Sequence, residues 1–414
     1  MYYYMHINTY CRICHSQNLT KVLDLGSQPL ANAFLRFNDL GASEPTYPLE
    51  MYVCVDCYLA QLIHVVDKEV LFTDYIYFSS SMPKLSDHFK KYAEDIIARF
   101  LEPNDLVVEL GSNDGILLHL FKDHAFRILG VDPAKNISTF ANACGIPTIA
   151  DFFNESLAGY INKIAGQAKA IIGNNVVAHI NDYQDLGRSI KTLLHSEGVF
   201  VFEAPYLIDM FENLTFDTIY HEHLSFLAVY PLTRLFKQFD LEIFEVQIVS
   251  AQGQSLRVFV GHTGAHPIDA SVAACVDREI SFGLHKLETY QNWAKKIVES
   301  KKRVVQLLRN LKAQGKRLAA YGAPAKGNTL LNYYDIGPNL LDFVLDELPS
   351  KQGLYTPGQH LLVVDHQTAD KRAPDFYLLL AWNYLKVILK KEDPFVARGG
   401  AFILPTTGKI IKTP

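Results

Sequence analysis

No stretch of this 414-residue chain approaches the roughly 18 consecutive apolar residues that a membrane span requires, so no membrane partner is expected. The opening MYYYMHINTY lacks the basic start, apolar run and small-residue cleavage site of a secretory leader, which makes a cytoplasmic protein the expectation. Long basic runs are missing too. The 39 Lys+Arg are outnumbered by 44 Asp+Glu, for a net charge of −5, and they do not share a face with aromatic residues, so no nucleic-acid partner is expected. Cysteine is scarce and uneven: of six, Cys11, Cys14, Cys54 and Cys57 form two close pairs, while Cys144 and Cys275 stand alone in apolar, helix-like surroundings. In a reducing compartment the paired thiols read as metal ligands and the lone ones as small buried hydrophobes. What the chain does have is apolar residues, 49% of the total, and length enough for two or three domains.

Three segments differ in rhythm. Residues 1–70 hold the Cys pairs, short strand-like pieces between Val53 and Val66, and turn signals at Gly26, Pro29, Gly41 and Pro48; a unit this small needs help to stay folded. Residues 71–270 show short apolar runs alternating with helical stretches, LVVEL, RILGVD, AIIGNNVV and VFVFEAP, the rhythm of a parallel sheet. Two later runs, LEIFEVQIV and SLRVFVGH, are expected as an antiparallel pair that closes the sheet's edge. Residues 271–414 open with a helical pattern from Ser271 to Ala313, carrying Leu284, Trp293, Ile297, Val304 and Leu308, which reads as one long connector. Beyond it RLAAYGAPAKGN, LDFVLDE, HLLVVD, FYLLLAWNYL and AFILPT predict a second, smaller α/β unit. The predicted fold class is therefore α/β, two Rossmann-like units preceded by a small metal-binding domain.

Two C-x-x-C pairs suit tetrahedral zinc, because each supplies two thiolates from one tight turn; four thiolates leave no coordination position open, so the ion would be structural. A redox dithiol or unpaired core cysteines are the other readings. In VVELGSNDGILLHLF an apolar strand carries Glu109, and Gly111, Asn113 and Gly115 precede a helix starting near Ile116. Glycine there lets the backbone approach a ligand, and the helix N-terminus offers free N–H groups. A dinucleotide site would want G-x-G-x-x-G, but Asn113 stands at the second glycine and Asp114 makes the loop acidic, which repels a pyrophosphate and suits a cationic sulfonium with its amine. Asp132, about 21 residues after Gly111, can accept both hydrogen bonds of a ribose. Asp151 and Phe152, at the end of the third strand, offer an acceptor and a ring face to adenine, or are a strand end with core aromatics. Asn174, Asn175 and His179 follow the fourth strand, at the carboxyl edge where ligands bind; His179 by itself also reads as structural.

FDTIYHEHLSFL gathers Tyr220, His221, Glu222 and His223 in an apolar neighbourhood. His can act as general base near neutral pH, Tyr can hydrogen-bond a developing oxyanion and Glu can orient either, or the four are a satisfied polar cluster on a loop. DYIYFSSSM brings Tyr75 and Tyr77 between the Cys unit and the sheet, as a pocket cover or an ordinary linker. Gly322, Ala323, Lys326, Gly327 and Asn328 open a strand-to-helix turn with one cation, a cradle for a diphosphate.

In order along the chain, the double C-x-x-C unit, ELGSNDG, YHEHLSF, YGAPAKGNTLLNY and the late LPTTG resemble the sugar C-methyltransferases of deoxysugar pathways, which install a branch methyl at C3 of nucleotide-linked 4-keto sugars. The resemblance covers essentially the whole chain. It implies a class I methyltransferase domain over 71–270 that uses S-adenosylmethionine, an N-terminal zinc domain over 1–70, and a C-terminal Rossmann-like domain that holds the nucleotide-diphosphate keto sugar. It makes His223 the base, with Tyr220 and Glu222 as partners and either Tyr75 or Tyr77 at the substrate. One departure is Gln252-Gly253-Gln254-Ser255-Leu256-Arg257, where the family pattern is His-Gly-Gly-Ser-Leu-Arg; it bears on substrate detail rather than on class. The rival readings are a nicotinamide-dependent nucleotide-sugar reductase or epimerase, which the missing G-x-G-x-x-G opposes, and a non-catalytic zinc-containing binding module. The zinc unit is expected to steady a lid without touching the chemistry.

Overall fold

The computed structural model describes residues 4–73, 83–250 and 254–412. In chain order the N-terminal strands are β1 (Met5–Ile7), β2 (Leu19–Gln28), β3 (Tyr47–Cys54), β4 (Ala60–Leu62) and β5 (His64–Val66). β1 pairs with β5, and β2, β3 and β4 form an antiparallel sheet. β2 was not expected from the sequence: Gly26 marks an irregularity inside the strand, between Asp24 and Ser27, where its φ is +76°, rather than ending it.

The central sheet is built from β6 (Leu106–Leu110), β7 (Arg127–Val131), β8 (Thr148–Ile149), β9 (Ala168–Asn174) and β10 (Leu194–Pro205). After the short β11 (Ser225–Phe226) come β12 (Leu241–Val249) and β13 (Ser255–His262), the expected antiparallel pair. The order is β12-β13-β10-β9-β6-β7-β8. Both faces are covered: Leu106, Val108, Ile171, Phe200 and Phe202 pack on one side, and Val107, Ala170, Ile172, Val199 and Val201 on the other. That is why these strands read as unbroken apolar runs rather than alternations.

Two helices follow, not one. Ala270–Phe282 ends at Gly283, whose φ of +90° lets its N–H reach back to the Glu279 and Ile280 carbonyls, and Leu287–Ala313 starts afresh. A glycine cap was the overlooked signal. The last sheet comprises β14 (Leu318–Tyr321), β15 (Val344–Leu345), β16 (Val363–Val364), β17 (Phe376–Leu379), β18 (Ala401–Ile403) and β19 (Ile410–Ile411), in the order β16-β15-β14-β17-β18-β19. No helix among the described residues is long and apolar enough to cross a membrane.

Strand order reverses between β6 and β9 in the central sheet, and between β14 and β17 in the last one. Loops leaving neighbouring strands on opposite sides open a crevice at such a point, where α/β sheets bind ligands. The two crevices face a common cavity of about 1030 Å³.

Candidate active site

The cysteines come together first. Cys11 and Cys57 Sγ lie 3.3 Å apart, Cys14 and Cys54 3.5 Å apart, and all four Sγ within 4.8 Å of one another. Tetrahedral zinc with Zn–S of about 2.3 Å needs sulfurs about 3.8 Å apart, so the set fits a structural ion with little adjustment. Sulfur contacts from Cys11 and Cys57 pull Cys54 far below the ordinary thiol range, while contact with Cys54 pushes Cys11 up to about 12. A divalent cation removes that conflict by favouring every thiolate at once.

This unit is also joined directly to the Tyr-His-Glu-His segment. β11, immediately after Tyr220–Leu224, pairs with β4 through Ser225↔Gln61 and Phe226↔Ala60, and the Leu62 N–H donates to the Leu224 carbonyl at 2.9 Å. The Tyr-His-Glu-His segment is thus stitched to the metal-held sheet. Buried Arg12 strengthens the join, donating to the Leu62 carbonyl at 2.6 Å and to Asn181 at 3.1 Å.

In the donor crevice Glu109, Gly111, Asn113, Asp132, Asp151, Phe152, Asn175 and His179 all line the cavity. Glu109 is buried, and its Oε2 makes no hydrogen bond within the protein. Burial first, then the charges of Asp132 and Asp114, push its carboxyl well above the ordinary range. A cationic ligand would relieve all three effects. Asp132 is aimed by backbone donors, Asn113 N–H on Oδ2 and Ala134 N–H on Oδ1, each at 2.9 Å, and keeps further lone pairs for a ligand. Gly111 has φ +61°, and a Cβ there would lie 2.3 Å from Val176 Cγ2. Asn174, beside Asn175, also lines the cavity, and neither atom of its amide is hydrogen-bonded within the protein.

Two donor-site expectations shift. Gly115 is not part of the wall: with φ +79° and Ile146 Cγ2 2.7 Å from where its Cβ would be, it serves the turn into helix Ile116–Asp123. The Phe152 ring carries the Lys68 ammonium 4.1 Å from its centroid, so one ring face is already covered by the zinc unit.

Across the cavity Tyr220, Glu222 and His223 are on the wall, whereas buried His221 turns away to Tyr47, its Nε2 3.2 Å from that carbonyl. The His223 Nδ1 lies 2.7 Å from the Thr218 carbonyl and Nε2 lies 2.9 Å from the Tyr220 hydroxyl. A carbonyl only accepts, so Nδ1 carries the proton and Nε2 presents its lone pair. Burial lowers His223 to about 4, which leaves the ring neutral at physiological pH. His179, stacked on Phe72, lies 5.0 Å from the His223 ring and is pushed well below its ordinary range by burial and then by His223. Tyr75, Tyr77 and Gln252 lie outside the described residues.

On the last sheet Gly322 and Lys326 line the cavity; Ala323, Gly327 and Asn328 do not. The Ala323 N–H is taken by Asp346 Oδ2 at 2.6 Å, Gly327 makes room for Leu380, whose Cβ would meet a new Cβ at 2.9 Å, and Asn328 Nδ2 holds the Ala31 carbonyl at 2.7 Å. Lys326 donates to Asn383 Oδ1 at 2.7 Å and sits 3.6 Å over the Trp382 ring. Burial lowers it to about 8, against the pull of Asp217, which accepts from Trp382 Nε1 at 2.7 Å. Lys351, unforeseen, is a second cation on the wall and is itself buried, donating to the Ala323 carbonyl at 2.8 Å.

Family profiles match in the same order. A zinc binding domain covers residues 11–72, a methyltransferase domain 85–246 and a C-methyltransferase C-terminal domain 250–406. Over 397 residues the chain is 36% identical to the C-methyltransferase NovU of Streptomyces niveus, spanning 95% of this chain and 94% of that one. Similar solved structures include the magnesium protoporphyrin IX methyltransferase of Synechocystis PCC 6803 with bound SAH, 11% identical with a TM-score of 0.36, covering 46% of this chain and 89% of that one. A Haloferax volcanii methyltransferase complex with the Trm112 activator is 14% identical, with a TM-score of 0.35, covering 44% and 95%. With profiles for each segment and identity to NovU along nearly the full length of both chains, this protein belongs to the C-methyltransferase family, S-adenosylmethionine-dependent enzymes that here carry a zinc-binding domain.

Proposed function

We propose that the enzyme methylates C3 of a nucleotide-diphosphate 4-keto deoxysugar. The reading rests on one observation above others: a neutral histidine, its Nε2 lone pair aimed by the Thr218 carbonyl and joined to Tyr220, stands on a cavity wall shared by the donor crevice and a lysine-bearing crevice. Methylation at carbon needs a carbanion equivalent, and a C–H next to a ketone gives one at modest cost if a base is held against it.

His223 Nε2 takes the C3 proton, the C–H electron pair becomes the C3=C4 bond as the C4 carbonyl pair moves onto oxygen, and C3 of the resulting enolate forms the new carbon–carbon bond to the methyl. The hydroxyl of Tyr220 rotates from Nε2 to the enolate oxygen. The new charge on His223 is met by the Thr218 carbonyl at Nδ1, with Glu222 one residue away. Bound S-adenosylmethionine supplies the methyl on a cationic sulfur, which leaves as a neutral thioether. Glu109 would hold its amine and Asp132 its ribose, with Asn113 N–H and Gly111 shaping the loop. Lys326 and Lys351 would take the diphosphate, and Trp382 fixes Lys326 against the catalytic segment through Asp217. Much of the rate gain is positional, since both reactants are held by separate sheets. Residues 71–270 would thus be the donor unit and 271–414 the sugar-nucleotide unit.

The test is hydrogen exchange at C3. With a nucleoside diphosphate 4-keto-6-deoxyhexose and S-adenosylhomocysteine in deuterium oxide, the enzyme should wash deuterium into C3, and His223→Gln should abolish this while still binding S-adenosylhomocysteine. Exchange that persists at the wild-type rate in His223→Gln removes His223 as base.

A further inference from the structure

We propose that Asn32, in the β2–β3 connection of the zinc unit, is a positioning residue for Glu222, tying the catalytic segment to the lysine-bearing helix Ala325–Tyr334. This rests on the reading of Tyr220–His223 as the proton-abstracting segment.

Asn32 and Glu222 are 190 residues apart in sequence, yet Asn32 Nδ2 donates to Glu222 Oε1 at 2.7 Å, and both side chains line the cavity. Glu222 is 4% exposed, so its carboxylate depends on protein donors for its orientation. The neighbouring Ala31 carbonyl is held at 2.7 Å by Asn328, fully buried and two residues beyond Lys326. Phe34 lies 5.2 Å from the Lys351 ammonium, itself anchored on the Ala323 carbonyl and within reach of the Glu222 charge. Leu35 and Tyr355 exchange backbone hydrogen bonds of 2.9 and 2.8 Å. Residues 31–35 are therefore fastened to a helix and loops of the C-terminal α/β unit by main chain and side chain, and the Asn32 amide carries that fixed position to Glu222. The carboxylate so held sets a negative charge one residue from the imidazole that must become cationic.

A donor to a charged group is worth roughly tenfold to a hundredfold when lost. Asn32→Leu, near in size but without a donor, should lower kcat by that factor and leave S-adenosylmethionine affinity and the KM of the sugar nucleotide within about twofold. In a Glu222→Gln background the same change should add less than about twofold, because the pair acts as a unit. Should Asn32→Leu not fold, Asn32→Gln and Asn32→Glu replace it: they share size and differ in the donor, and only Asn32→Gln should keep substantial kcat. Wild-type kcat in Asn32→Leu, full additivity with Glu222→Gln, or equal kcat in the Gln and Glu variants overturns the proposal. Measured beside them, His223→Gln separates the two failures: if it is fully active, the underlying reading falls instead.

Discussion

Gly111→Ala should damage donor binding through two separable effects. The position has φ +61°, a left-handed conformation that costs an L-residue about 1–2 kcal/mol. The new methyl would also sit 2.3 Å from Val176 Cγ2, an overlap that core-packing changes put at about 1–3 kcal/mol. Together these are roughly 2–5 kcal/mol, which for a domain of this size lowers Tm by about 4–20 °C. Where the loop yields rather than Val176, Asn113 N–H is drawn away from Asp132, so S-adenosylmethionine affinity should fall at least about tenfold. Val176→Ala removes the clashing methyl; in the double variant about 1–3 kcal/mol should return and the backbone part remain. Calorimetric titration with S-adenosylmethionine and thermal melts of the four proteins complete the cycle. Wild-type affinity and Tm in Gly111→Ala, or a double variant no better than Gly111→Ala, would refute the reasoning.

Because burial holds His223 at about 4, below its ordinary value, the ring stays neutral as pH falls through 6.5; with His223 as the proposed base, kcat/KM should keep its plateau there and decline only toward pH 4; a midpoint near 6.5 would contradict this. Lys326→Met should raise the KM of the sugar nucleotide roughly tenfold to a hundredfold, the worth of a charge-assisted contact, with unchanged S-adenosylmethionine affinity by calorimetry. Cys57→Ser, or chelation of the metal, should release one zinc ion per chain and abolish methyl transfer more completely than donor binding, since β4 holds β11 and the residues before it; metal analysis and calorimetry decide.

That Glu109, Gly111, Asn113 and Asp132 share one cavity wall was legible because the signal is local: ELGSNDG encodes strand, turn and helix start within one stretch, and Asp132 follows one strand later. The cysteine cluster was legible for the same reason, two short spacings that a common ion draws together. What sequence could not show is who occupies a backbone donor. YGAPAKGN reads as an open phosphate turn, yet Asp346 caps the Ala323 N–H from just after the next strand, and Asn328 faces the β2–β3 connection of the zinc unit instead of a ligand. Asn32, Lys351, and the Asp217–Trp382 contact likewise join segments more than a hundred residues apart, and no periodicity reports such pairs. The single connector failed on local grounds: Gly283 sits inside an otherwise continuous apolar pattern, and its capping role shows only in a positive φ.

The most direct measurement follows the methyl group itself. Turnover of a nucleoside diphosphate 4-keto-6-deoxyhexose with methyl-13C-labelled S-adenosylmethionine, read by carbon NMR, should give a methyl bonded to carbon and coupled to C3, with the 4-keto resonance retained. A methoxy signal, or no transferred label from metal-replete enzyme with this class of acceptor, would contradict the assignment.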